Sequence, residues 1–168
     1  MSEKEIVGKG LKLKFVGTFD LEDLYRKMKF WLDFKGYGDE KDGFNEDNYT
    51  ERIKPGGKQI EIKWTCKNEV SAYCTAVLEI TFFILGVTPV EVEKEGKTVK
   101  LKKADIELRF SAYLIVNAND KWPDDSFTNK LYKKYMMKKN IDEYKIDLYD
   151  DLYDMMDEVK NYLELYQF

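Results

Sequence analysis

The stretch ADIELRFSAYLIV, Ala104 to Val116, alternates without a break. Ile106, Leu108, Phe110, Ala112, Leu114 and Val116 share one face, and Asp105, Glu107 and Arg109 share the other. A period of two is the signature of a β-strand with one covered face and one wet face. The same period extends upstream. In AYCTAVLEITFFI, 72–84, the even residues are apolar, and in KQIEIKWTC, 58–66, Ile60, Ile62, Trp64 and Cys66 fall on one side. VEVEK and KTVKL flank Glu95-Gly96, so a two-residue hairpin pairs Val92 with Val99 and Val90 with Leu101. YTERIK, 49–54, is a short strand closed by the turn KPGGK, and LKLKFVG, 11–17, is an isolated N-terminal strand. These segments predict about seven strands, six of them consecutive and antiparallel.

Two helical stretches bracket the last six strands. After Phe19, Asp20 suits an N-cap with Asp23 at the third helical position, and Phe19 and Leu24 stand as a hydrophobic staple. Leu21, Leu24, Tyr25, Met28, Trp31 and Leu32 recur at helical spacing until Gly36. The polar run GYGDEKDGFNEDN, 36–48, reads as a loop. Beyond the breaker NANDKWPDD, 117–125, the chain from 124 to 168 is helical, with a Phe127–Lys139 helix ahead of the closing one. The expected fold is a single α+β domain over residues 1–168. A curved antiparallel sheet of about seven strands is covered on one face by an N-terminal helix and long C-terminal helices. This β-α-β6-α order resembles the helix-grip topology of the START and Bet v 1-like proteins, with one helix read where those families have two short ones. The resemblance implies a crevice between sheet and terminal helix of the kind in which helix-grip proteins hold apolar ligands.

Composition narrows the chemistry. The 168 residues contain no histidine, which excludes Ser-His-Asp, Cys-His and HExxH chemistry within the chain. No catalytic residue, metal ligand set or cofactor motif stands out, and an enzyme is disfavoured. A net charge of −4 supplies no global attraction for nucleic acid. MSEKEIVGKG has no apolar core, and the longest apolar run, ITFFILGV (80–87), is too short to cross a bilayer. The expectation is a soluble, cytoplasmic protein. With the turn placed around Glu69 to Ser71, Cys66 and Cys74 sit opposite each other, as packed thiols in a reducing compartment or as a disulfide.

The closing segment, Ile141 to Phe168, is apolar over more than one stripe. Ile141, Tyr144, Leu148, Leu152, Met155, Val159, Tyr162 and Tyr166 form the stripe a sheet would cover. Ile146, Tyr149, Tyr153, Met156 and Leu163 form a second set beside it. Another helix of the same chain covers the second set, or a protein partner or second copy does, or a bound apolar ligand does. Three further features carry weaker signals. Ala72, Cys74, Ala76 and Ala112 are small inward residues, expected either to admit a close helix or to leave a crevice for a small apolar ligand. Lys130, Lys133, Lys134, Lys138 and Lys139 interleave with tyrosines, which suits phosphates or an anionic membrane but more simply a solvated face. Asp150, Asp154 and Asp157 share a helix face without any cation-binding spacing. The function expected from these residues is non-catalytic: interaction or assembly through an apolar helical face. Carriage or sensing of a small apolar ligand between sheet and C-terminal helix is the alternative.

Overall fold

The computed structural model describes residues 3–38, 43–116 and 127–166. The chain order is β1 (Glu3–Phe19), α1 (Leu21–Lys35), β2 (Phe44–Lys54), β3 (Gly57–Ser71), β4 (Cys74–Lys94), β5 (Lys97–Val116) and α2 (Phe127–Glu164). The strands form one antiparallel sheet in the order β1-β5-β4-β3-β2, so the first strand lies beside the last. The fold is therefore α+β, with five strands among the described residues instead of the expected seven.

The lower count has a local cause. The expected strands 72–84 and 90–94 fall, from Cys74 onward, on one strand, β4, and 97–101 and 104–116 are one strand, β5. Between Leu85 and Thr88 the ladder shifts register, and Gly86 adopts a φ of 64° there. A bulge with glycine in the left-handed region bends the strand without ending it. Pro89 lies past the last β3–β4 pair, Lys58 with Val87, where β4 has a neighbour on one side only. The tip of this long arm is the expected hairpin. Val92 pairs with Val99 and Val90 with Leu101, and Glu95 and Gly96 both have positive φ, as a type I′ turn requires. Part of the expected loop before residue 49 is also strand, since Phe44 already pairs with Cys66.

The cysteine register differs from expectation. Cys66 pairs with Leu78, while Cys74 stands opposite Ser71 and Val116. The turn lies at Ala72-Tyr73, and a bulge between Glu69 and Ser71 shifts the ladder. Both thiols are buried, and they are not joined in a disulfide.

Both helices lie on the apolar face. In α1 the Asp20 side chain accepts a hydrogen bond from the Asp23 backbone N–H at 3.1 Å. The helix ends at Gly36, whose φ of 92° turns its N–H back onto the Leu32 and Asp33 carbonyls. Leu24, Met28 and Leu32 are buried beneath it. From 127 onward there is a single 38-residue helix, so the Phe127–Lys139 segment extends the closing helix instead of folding back on it. Leu148, Leu152, Met155, Val159 and Tyr162 of α2 are buried in the core. The two helices run antiparallel. Lys35 reaches Asp151 and Asp154 at 3.9 and 3.8 Å, and Lys27 lies over the Tyr162 ring. The Tyr162 hydroxyl, 2.9 Å from an Asp23 carboxylate oxygen and 3.1 Å from the Asp20 carbonyl, ties the end of α2 to the start of α1.

Candidate functional site

The second apolar set on α2 separates into three kinds of residue. Leu163 is 1% exposed and belongs to the core, which removes it from any partner surface. Met156 is half-buried against that core. Ile146, Tyr149 and Tyr153 are 61%, 48% and 39% exposed, so the described residues leave them open. Tyr149 and Tyr153 pack ring on ring, with centroids 4.5 Å apart. The helical phase explains the sorting. Lys145 pairs with Glu5 of β1 at 2.8 Å, and Leu152 meets the backbone of β1 at Gly8, so that flank of α2 faces the edge strand. α1 occupies the opposite flank through Asp151, Met155 and Tyr162. Ile146, Tyr149 and Tyr153 turn past the edge strand into solvent.

Two residues outside the sequence-derived set extend this strip. Leu131 and Tyr135 are exposed. At about 100° per residue they fall with Ile146, Tyr149 and Tyr153 inside an arc of about 60°. The signal is their shared phase with Ile146, Tyr149 and Tyr153, which is visible only when 127–164 is one continuous helix. Of the basic segment, the side chains of Lys130 and Lys133 lie outside the described residues, and Lys134, Lys138 and Lys139 are exposed.

The small residues behave differently from a ligand crevice beneath α2. Ala72 is exposed in the β3–β4 turn, not on the inward face. Cys74, Ala76 and Ala112 are buried in the core. Opposite Ala112 stands Gly8, where an added Cβ would lie 2.8 Å from Leu152 Cδ2. Gly8 and Ala112 together let α2 approach the sheet, so the space over them is filled by the helix. A single glycine ahead of the LKLKFVG strand gives no sequence signal for this contact.

The opening between helix and sheet lies instead under α1. A cleft of about 410 Å³ has Ile60, Ile62, Phe82 and Val87 as its floor, with Leu21, Tyr25 and Tyr49 as walls. Glu22, Arg26, Glu51, Lys58 and Lys102 ring its mouth. Tyr25 donates to Glu46 at 2.6 Å and Tyr49 to Glu51 at 2.8 Å. Burial, reinforced by the Glu46 carboxylate, pushes the Tyr25 phenol well above its ordinary range, and burial with Glu51 pushes Tyr49 up to about 12. Both phenols are thus held protonated as hydrogen-bond donors. Among the described residues no group of three or more Cys, Asp or Glu side chains is arranged to hold a metal ion, Asp150, Asp154 and Asp157 included. No helix among them is long and apolar enough to cross a membrane.

No known protein family, characterised protein or solved structure matches this chain.

Proposed function

We propose that this chain is a non-catalytic interaction domain that binds a protein through the exposed strip of α2. The observation that carries the reading is the exposure of Ile146, Tyr149 and Tyr153 on a helix whose core-facing residues Leu148, Leu152, Met155, Val159 and Tyr162 are already buried. A helix docked on one core needs a stripe only a little over 100° wide, so the surplus serves something other than folding. Clustered exposed tyrosine and aliphatic side chains are the composition of protein contact surfaces. The test is association measured for the wild type and for Ile146→Ser, Tyr149→Ser and Tyr153→Ser combined, by sedimentation and by affinity capture from the native source. Association lost in the triple variant supports the reading. Association that survives the triple variant, or its absence from the wild type at high micromolar concentration and in capture, overturns it.

The cleft under α1 favours a second reading, carriage of a small amphipathic molecule. Its volume lies within the range of small-molecule sites, its floor is apolar, and its mouth is charged. Native mass spectrometry of the purified protein should show an adduct that Leu21→Trp, filling the cleft, removes. A clean apo mass together with no displacement of a fluorescent apolar dye overturns it.

A further inference from the structure

We propose that the partner of the α2 strip is a second copy of this chain, with the two α2 helices antiparallel about a two-fold axis near Asp142 to Ile146. The inference rests on the strip being an interaction surface and names its occupant from charge.

The helix is divided by sign. From 130 to 139 it carries five lysines and no acid, and from 142 to 158 it carries eight acids and one lysine. This polarity opposes the helix dipole, which favours acids near the N-terminus and cations near the C-terminus; α2 has no acid in its first turn and no base in its last. α1 offsets part of the acidic half through Lys35 on Asp151 and Asp154. An antiparallel copy sets each acidic half beside the other copy's basic half and positive helix end, whereas a parallel copy sets like against like.

The apolar strip has the matching geometry. Leu131 and Tyr135 lie on one side of the proposed axis and Tyr149 and Tyr153 on the other, all exposed on one face. Antiparallel pairing therefore apposes one copy's Leu131 and Tyr135 to the other's Tyr149 and Tyr153. Along the flank, Lys139 and Asp150 are both exposed and stand eleven residues apart, three turns plus about 20°, so they edge the same side of the strip. In antiparallel pairs like flanks meet, which places Lys139 of each copy beside Asp150 of the other.

The test is a charge swap read by sedimentation equilibrium at low salt. Lys139→Glu or Asp150→Lys alone should weaken the dimer about tenfold, since symmetry applies each change twice, and the double variant should recover most of the loss. Spin labels fix direction. A label at Asp142→Cys should give a short intersubunit distance, and one at Asp157→Cys about 40 Å, from 1.5 Å of rise per residue on each side of the axis. Cys66 and Cys74 are buried and the unsubstituted chain serves as the labelling control. A wild type that stays monomeric, a dimer indifferent to both reversals, or a short distance at 157 overturns the self-pairing. If the chain is monomeric yet captures another protein through Ile146, Tyr149 and Tyr153, self-pairing falls and the interaction reading stands. If substitutions in the strip change no association at all, both fall.

Discussion

Gly8 sits beneath Leu152 of α2, and its missing side chain leaves room for that contact. A Cβ there would press on Leu152 Cδ2 at 2.8 Å, while Leu152 itself is wholly buried. Gly8→Ala should therefore cost about 1–3 kcal/mol through overpacking. Leu152→Val in the same chain should relieve part of the cost, so the double variant is more stable than the sum of the singles predicts. Urea denaturation of the four proteins checks this, and strict additivity would show that the contact is not the cause. Cys74 offers a second test at this scale. Burial raises its thiol from 9.0 to about 11. Between those values the unfolded chain has given up a proton that the folded chain keeps, so folding binds protons and stability falls as pH rises. The contribution is whole below pH 9 and gone above about pH 11. Cys74→Ala should flatten that part of the stability profile, and an unchanged slope would mean that the thiol ionises freely in the folded state.

At the scale of elements, the fate of each segment follows from how local its determinants are. The caps of α1 need only Asp20, Asp23 and Gly36, all within the helix's own neighbourhood, and they form as the residue types require. The hairpin at Glu95-Gly96 is equally local, and its pairs match the expectation. LGVTP, residues 85–89, reads as a break because glycine and proline are the strongest turn signals, yet the strand continues through it. What decides the matter is a neighbouring strand that pairs on either side of a bulge, which a single segment cannot display. Gly86 is the residue that permits it, with its φ of 64°. Gly86→Val should cost about 1–2 kcal/mol, whereas Gly56→Ala, with open space around its Cβ, should stay within about 0.5 kcal/mol. Equal losses in thermal or chemical unfolding would argue that the bulge tolerates side chains. The cysteine register is decided by the turn: it forms at Ala72-Tyr73 instead of around Glu69 to Ser71, and together with the one-residue bulge before Ser71 this sets Cys66 opposite Leu78.

For the whole molecule, the apolar surplus of α2 is partitioned between folding and association, and the partition was only half legible in the sequence. Periodicity separates the two stripes, but only the positions of α1 and β1 decide that Leu163 is interior while Tyr149 is not. The two residues should accordingly fail in opposite ways. Leu163→Ala removes a side chain buried in the core, and should cost about 2–5 kcal/mol of stability. Any loss of association in that variant should follow its loss of folded protein. Tyr149→Ser alters a surface with no core contact and should change stability by no more than about 0.5 kcal/mol. Yet it should weaken association in a chain that is as folded as the wild type. Unfolding curves and sedimentation on the same samples separate these effects. A Tyr149→Ser chain that is markedly destabilised would place the strip inside the folding unit, leaving the reversed charge of α2 without the neighbour proposed to balance it.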